Sequence, residues 1–356
     1  MSQSKRTIFG AVTRGIGIAS VALAAVFVAG GAHAQTTKLK FATYIPPQHA
    51  VSKWITAKLK EIQAKSNGKV EITEFWGGQL GPPPKYYDMV STGQADIVWF
   101  LTGNFPGIFR LTEVSNLPYL MGSAEIGAKV LNDPEFRKYL DKEYAGLKIL
   151  NLHTHQPGNV FSARKAVRKV ADFKGVRLRF PSGPIKELLQ AAGGTPVGLP
   201  PTDVVEGMQK GTLDGTIIDY GGAAFAFPMA PVTNYATELY AYVGSFCICM
   251  NKAAFDKLPK DVQKLMEDTF ANEAVKPGII FDSLDKAGKG VMVKAGVEPI
   301  VFSQEEDRKI RAIAGKVSET HLAGLDKRSL PGRQVHEAVK ALSAKYTPGS
   351  HSFWKK

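Results

Sequence analysis

The first part of the chain alternates between strand-like and helix-like spacings of apolar positions. Residues 39–43 and 70–76 are predicted strands, and residues 95–101 form a continuous apolar run typical of a buried strand. Residues 51–65 have apolar side chains at helical spacing, and a second helix ends near Gly93. This β-α-β-α-β order predicts an α/β fold with a mainly parallel sheet and helices on both faces.

A second segment repeats this pattern, so we expect two α/β lobes with a cleft between them. The chain would cross between the lobes near residue 158 and again near residue 245. The expected domains are lobe I, residues 35–158 plus about 245–285, and lobe II, residues 159–244 plus about 286–356 with C-terminal covering helices. Small ligands bind in such clefts, at the carboxyl ends of strands.

A long amphipathic helix is predicted to start at Pro259. Apolar spacing resumes after Pro277 and Gly278, so we expect these two residues to kink the helix and not to end it. A helix of this length can run across both lobes.

The N-terminus has the pattern of a cleaved signal peptide. Lys5, Arg6 and Arg14 precede or flank an apolar run at residues 16–29, and a small-x-small site predicts cleavage after Ala34. The run is short for a membrane span, so an uncleaved anchor is less favoured. A twin-arginine signal is also less favoured, because Lys5-Arg6 is not an Arg-Arg pair. We therefore expect a secreted protein that is not itself membrane-embedded.

Charge and motifs exclude several classes of function. The net charge is +13, but the charges are spread along the chain without an aromatic-interleaved basic stripe, so we expect no nucleic-acid partner. The chain has no Gly-x-Ser-x-Gly, His-Glu-x-x-His or phosphate loop, so an enzyme is disfavoured and no cofactor is expected. His153 and His155 are the best metal candidates, but they have no third ligand at suitable spacing, so no metal is expected.

Two cysteines stand two residues apart. Cys247 and Cys249 would face the same side of a strand, and their spacing is poor for zinc. We expect buried thiols, with a strained disulfide as the alternative in an oxidising compartment.

One arginine is placed to bind an anion. Arg179 ends a strand predicted at residues 176–180, and its planar guanidinium suits a small carboxylate. Arg177 would point to the opposite face as a solvated charge.

Several motifs together make the mature chain resemble the solute-binding proteins of tripartite ATP-independent periplasmic (TRAP) transporters. They include Ser66-Asn-Gly-Lys-Val-Glu-Ile, Gly93-Gln-Ala-Asp-Ile, Leu117-Pro-Tyr-Leu and the stretch from Asp172 to Pro181. The resemblance implies a two-lobed periplasmic binding protein fold with a hinge and a long helix spanning both lobes. It also implies a periplasmic receptor that delivers an organic acid to small and large permease subunits.

The resemblance assigns the carboxylate to Arg179, helped by Arg164. Positions that are polar in sugar-acid-binding relatives are here Tyr44, Pro82, Leu101 and Ile218, and a commonly aromatic one is Pro201. A polyhydroxylated ligand would leave hydroxyls unpaired there, so an aromatic or otherwise apolar carboxylate is favoured.

Further candidates are assigned by position. The aromatic candidates for the cleft are Trp76, Trp99, Phe100, Phe161, Phe180, Phe225 and Phe227. His49, Asp219 and Asn104 are candidates to hydrogen-bond the far end of the ligand. The alternatives are a sugar acid, a C4-dicarboxylate or a 2-oxo acid as ligand, a sensor subunit for a membrane kinase, or a secreted enzyme.

Overall fold

The computed structural model describes residues 36–350, and the predicted signal peptide lies outside them. The strands in this range are β1 Thr37–Thr43, β2 Val70–Phe75, β3 Ile97–Leu101, β4 Leu147–Thr154, β5 Asn159–Ser162, β6 Arg177–Arg179, β7 Thr195–Val197, β8 Gly215–Ile218, β9 Tyr235–Thr237, β10 Ser245–Asn251 and β11 Glu298–Ile300. The α-helices are α1 Ala50–Lys65, α2 Tyr86–Thr92, α3 Ala124–Asn132, α4 Pro134–Arg137, α5 Gly183–Ala191, α6 Val204–Lys210, α7 Lys252–Asp256, α8 Lys260–Ala271, α9 Lys276–Lys294, α10 Gln304–Asp326 and α11 Gly332–Tyr346.

The first sheet has the strand order β2-β1-β3-β10-β4. As the sequence predicts, β1 pairs in parallel with β2 and β3, while β10 is antiparallel to β3 and β4. All five residues of β3 are buried, because a strand in the middle of a sheet covered by helices needs apolar side chains on both faces.

The second sheet has the order β11-β9-β5-β8-β6-β7. Strand β6 is parallel to β7 and β8, and β5 is antiparallel to β8 and β9. The two short strands β9 and β11 were not predicted, since neither has an apolar pattern of its own. The two mixed sheets with their helices confirm the predicted α/β fold.

Two connecting segments, residues 155–158 and 238–244, join the sheets and are hydrogen-bonded to each other. The backbone N–H of His155 donates to Gly244, that of Gly158 to Tyr242, and that of Ala241 to Gly158. The two crossings therefore form a single paired ribbon.

The predicted long helix is two helices in the structure. Helix α8 ends at Ala271, and after four intervening residues α9 begins at Lys276 with Pro277 in its first turn, so the kink prediction was wrong. Proline is well tolerated at a helix start, where its missing N–H has no partner to lose. Helix α9 still contacts segments of both sheets. A side chain on Gly278 would collide with Ala124 beside the first sheet, and a side chain on Gly288 would collide with Tyr220, which follows β8 of the second sheet.

Helix α10 also contacts the apolar clusters of both sheets. Ile310 and Ala314 of α10 belong to the apolar cluster of the second sheet, whereas Leu322 and Leu325 belong to that of the first. The exact lobe boundaries stay a prediction.

Cys247 and Cys249 are joined by a disulfide, with their Cα atoms 5.5 Å apart. The expectation of free thiols was therefore wrong. The register of β10 against β4 shifts between Ile248 and Cys249, and such an irregularity changes the spacing of side chains along a strand.

Among residues 36–350, no helix combines the length and apolarity needed to cross a membrane.

Candidate ligand-binding site

A cavity lies between the two sheets, with about 490 Å³ of non-atom space, part of it open to solvent. Its walls come from the ends of β1, β3, β6 and β8, from the paired crossings and from α9. The lining residues are Tyr44, Ile45, His49, Trp99, Leu101, His155, Arg179, Pro181, Pro201, Ile218, Asp219, Gly222, Ala226, Phe227, Tyr242, Phe246 and Phe281.

Arg179 is the charged group of this cavity, and it is only 3% exposed. Its Nε donates to the carbonyl oxygen of Leu199 at 3.1 Å. Among the described residues no carboxylate lies within ion-pair distance of its guanidinium. Burial lowers the pKa of Arg179, and a buried cation without a counter-ion is costly unless an anion binds there.

Two tyrosines lie close enough to this guanidinium for its charge to affect them. The Tyr44 hydroxyl accepts from the backbone N–H of Leu101 at 3.4 Å and from Asn104 Nδ2 at 3.3 Å, so its own proton remains available. Burial raises the pKa of Tyr44 to about 12, against the effect of Arg179. Both Tyr44 and Tyr242 stay neutral because burial also raises the pKa of Tyr242.

His49 lies on the first-sheet side, at the N-cap of α1. Its Nδ1 accepts from the backbone N–H of Val51 at 3.3 Å. Its ring centroid is 6.3 Å from that of Trp99 and 5.6 Å from that of Phe281. Burial lowers the pKa of His49 to about 4, so the imidazole is neutral near pH 7.

Asp219 and His155 form a buried polar pair. His155 Nε2 accepts from the backbone N–H of Gly244 at 3.0 Å, which places the imidazole proton on Nδ1. Nδ1 donates to the carbonyl oxygen of Gln156 at 2.5 Å and lies 3.4 Å from Asp219 Oδ2. Asp219 Oδ1 also accepts from the backbone N–H of Gly222. Burial raises the pKa of Asp219 and lowers that of His155, although each group partly offsets the other's shift.

Aromatic rings form much of the remaining wall. The ring centroids of Trp99 and Phe246 are 5.6 Å apart, and those of Phe246 and Phe281 are 5.7 Å apart and stacked. Trp99 Nε1 donates to His153 Nε2 at 3.1 Å, so the indole N–H is already paired within the protein. The wall therefore offers flat apolar surface.

Nine of the residues that the sequence analysis named for the cleft line this cavity: Tyr44, His49, Trp99, Leu101, Arg179, Pro201, Ile218, Asp219 and Phe227. Most of them end or follow strands of the two sheets, and their role in ligand binding stays a prediction.

Arg164 does not join Arg179. It is exposed and lies beside Gly211, and its charge lowers the pKa of Asp214. Because β5 runs antiparallel to β8, Arg164 lies beyond the end of β5 near Gly215, whereas Asp219 follows the opposite end of β8. Strand β6 is parallel to β8, so Arg179 lies at the same end of the strands as Asp219. Arg164 lies at the opposite end.

The other residues named for the cleft lie outside the lining, among them Phe100, Phe180 and Pro82. Phe161 packs edge-on against Tyr220, with centroids 5.1 Å apart, and Trp76 packs 4.9 Å from Phe41. Asn104 reaches the cavity only through its bond to Tyr44. Phe225 is half-buried and Phe227, two residues later, lines the cavity instead.

The sequence analysis missed several lining residues, among them Tyr242, Phe246, Phe281 and Pro181, and it considered His155 only as a metal candidate. Most of them belong to a crossing, to the start of β10 or to α9, which approach the cavity only in the folded chain. Pro181 was the one with a signal, since it follows the strand that ends in Arg179. The described residues contain no group of three or more side chains suited to a metal ion.

Comparison with known proteins places the chain in a family. Residues 41–324 match the family described as bacterial extracellular solute-binding protein, family 7. The chain is 27% identical over 271 residues to the C4-dicarboxylate-binding periplasmic protein of Rhodobacter capsulatus, covering 75% of this chain and 78% of that protein.

Solved structures give the same result. A marine metagenome TRAP solute-binding protein specific for aromatic acids, in complex with metahydroxyphenylacetate, superposes with a TM-score of 0.81 at 26% identity, covering 87% of this chain and 99% of that one. A TRAP solute-binding protein of Rhodoferax ferrireducens with copurified benzoate gives 0.83 at 25% identity, covering 88% and 99%. This is a family of solute-binding proteins and not of enzymes. The chain therefore belongs to family 7 of the bacterial extracellular solute-binding proteins and is a receptor of the TRAP type.

Proposed function

We propose that this protein is a periplasmic receptor that captures an aromatic monocarboxylate on Arg179 and delivers it to the small and large membrane subunits of a TRAP permease. The observation that carries the proposal is a buried guanidinium, without a carboxylate partner among the described residues, in a cavity with aromatic walls. A ligand carboxylate would supply the missing anion and accept two parallel hydrogen bonds from the guanidinium.

The charges of the cavity favour a ligand with one negative charge. Among the described side chains that line it, Arg179 is the only lysine or arginine, and His49 is neutral. Asp219 adds a carboxyl group to the same wall. A second ligand carboxylate would lose its hydration without gaining a cation, at a cost of several kcal/mol.

The walls favour a flat apolar body over a sugar acid. Trp99, Phe227, Phe246 and Phe281 offer ring surface, and the indole N–H of Trp99 is already paired. Four or five ligand hydroxyls would find too few partners, and each buried unpaired hydroxyl costs about 1–3 kcal/mol. Aromatic acids bound to two structural relatives support the same ligand class.

The test is isothermal titration of the secreted protein with benzoate, phenylacetate, succinate, pyruvate and a sugar acid. We expect the aromatic acids to bind tightest. A preference for succinate or the sugar acid would overturn the ligand assignment while leaving the receptor role.

The matched variants are Arg179→Met and Arg177→Met, which remove guanidinium groups two residues apart on the same strand. Arg177 is half-exposed and paired with Asp214, so its loss should leave affinity unchanged. Loss of Arg179 should weaken binding by roughly 30- to 1000-fold, about 2–4 kcal/mol, as for other truncated buried charge pairs. Equal effects of the two substitutions would contradict the proposal.

Delivery to a permease is tested by uptake of the labelled acid into cells that carry both membrane subunits. Uptake should require the receptor and both subunits. Binding without uptake, together with ligand-dependent activity of a membrane kinase, would favour a sensor role instead.

A further inference from the structure

His49 has a polar atom at the cavity that no described residue satisfies. The residue is 3% exposed and lines the cavity. Its Nε2 is buried and has no hydrogen-bond partner. Buried polar side-chain atoms are normally paired, so an unpaired one facing a ligand cavity calls for a functional explanation.

The proton position on His49 follows from its other nitrogen. Nδ1 accepts from the backbone N–H of Val51, so in the neutral imidazole the proton is on Nε2. Burial keeps the ring neutral near pH 7. Nε2, the unpaired polar atom of this lining residue, is therefore a hydrogen-bond donor.

Helix capping does not explain why an imidazole occupies this position. The cap uses only Nδ1, and Ser or Thr would cap α1 at least as well without burying a second polar atom. The rest of the ring, including Nε2, contributes nothing to the cap, which indicates a role in the cavity.

His49 and Arg179 belong to different walls. His49 precedes α1 on the side of the first sheet and lies between the rings of Trp99 and Phe281. Arg179 ends β6 in the second sheet, and its charge affects the pKa values of Tyr44 and His155. A ligand held by Arg179 can thus extend along aromatic surface toward His49.

We propose that His49 Nε2–H donates a hydrogen bond to a neutral acceptor oxygen on the body of the ligand, so that the receptor selects substituted aromatic monocarboxylates over unsubstituted ones. This inference rests on the proposed function. The acceptor is a hydroxyl or carbonyl oxygen, because a second carboxylate would lie in a cavity that already contains Asp219 and has no second cation among its described lining residues.

The test compares four acids by isothermal titration: benzoate, 4-methylbenzoate, 3-hydroxybenzoate and 4-hydroxybenzoate. The methyl group controls for size, since it fills similar space without accepting a hydrogen bond. We expect at least one hydroxybenzoate to bind roughly tenfold tighter than both benzoate and 4-methylbenzoate. Terephthalate is added to test a charged acceptor.

Three variants separate the two functions of the ring. His49→Asn keeps the cap and removes the Nε2 donor, and His49→Phe keeps the ring shape and removes both functions. His49→Gln has an amide N–H that reaches about as far as Nε2. The preference for the hydroxybenzoate should disappear in the Asn and Phe variants and persist in the Gln variant.

The outcomes distinguish this inference from the proposed function. Benzoate binding that depends on Arg179, without any preference that His49→Asn removes, would overturn the inference and leave the proposed function standing. Failure of all four acids to bind would overturn the proposed function itself. Tighter binding of terephthalate than of either hydroxybenzoate would also overturn the inference, since the acceptor would then be charged.

Discussion

Gly103 and Pro181 meet across the space between the two sheets. Gly103 lies in the turn that follows β3, and Pro181 follows β6 two residues after Arg179. A Cβ atom on Gly103 would overlap the carbonyl oxygen of Pro181 and lie 3.1 Å from the Cβ of Ser182. The described state therefore has the sheets in contact beside the cavity, as expected for a closed receptor.

Replacing Gly103 with alanine should weaken ligand binding. The added methyl would block the contact with Pro181, and overpacking of this kind costs about 1–3 kcal/mol, or roughly 5- to 150-fold in affinity. The melting temperature without ligand should change little, because an open receptor would not bring the two residues together. Titration of Gly103→Ala checks the first point and a melting curve the second.

The control is Gly122→Ala, where an added Cβ meets nothing within 4 Å. If both variants bind like the wild type, the contact between Gly103 and Pro181 does not belong to the ligand-bound state.

Asp285 of α9 should make stability depend on pH. Burial, and then the charge of Asp219, raise the pKa of Asp285 from 3.8 to about 8. The folded protein therefore binds more protons than the unfolded chain between about pH 4 and pH 8, so Asp285 lowers stability as the pH rises through that window, and the loss is complete above it. The penalty should be on the order of a few kcal/mol.

Asp285→Asn should remove this loss, since the amide keeps the oxygen that accepts from the backbone N–H of Tyr220. Melting temperatures measured from pH 4 to pH 9 should diverge in favour of the variant as the pH rises. The exposed Asp88 gives the control substitution, Asp88→Asn, whose profile should follow the wild type. Parallel profiles for Asp285→Asn and the wild type would contradict a raised pKa.

Arg164→Ala should keep the ligand affinity within about twofold of the wild-type value. The Arg164 side chain is exposed and lies at the opposite end of the strands of the second sheet from Arg179. Titration with the same aromatic acids checks this. A loss comparable to that of Arg179→Met would restore the paired-arginine interpretation drawn from the resemblance.

The disulfide between Cys247 and Cys249 should add little stability. It closes a loop of only three residues, and the chain-entropy relation gives roughly 1–2 kcal/mol for so short a loop. A Cys247→Ala, Cys249→Ala double variant should therefore fold and bind ligand, with a melting temperature lower by a few degrees. Thiol titration of the denatured wild type should find neither cysteine free, and two free thiols would show that the disulfide does not form.

Sequence patterns predicted what depends on local spacing. The parallel start of the first sheet followed from alternating strands and helices, and Arg179 was expected at the cleft because it ends a strand. The separation of Arg164 from Arg179 depends on the antiparallel pairing of β5 with β8, which no single strand encodes. Tyr242, Phe246 and Phe281 line the cavity through segments far apart in sequence, so their roles arise only from tertiary packing.

The hydrogen-bonded crossings between the sheets restrict how the receptor can move. Two separate linkers would let the halves swing in several directions, whereas a ribbon tied at His155, Gly158 and Ala241 bends mainly about one axis. Helix α9, in contact with both sides, limits sliding along that axis. The two halves then move relative to each other essentially along a single opening and closing motion. A membrane partner could therefore detect bound ligand from the distance between their outer surfaces, without contacting the ligand.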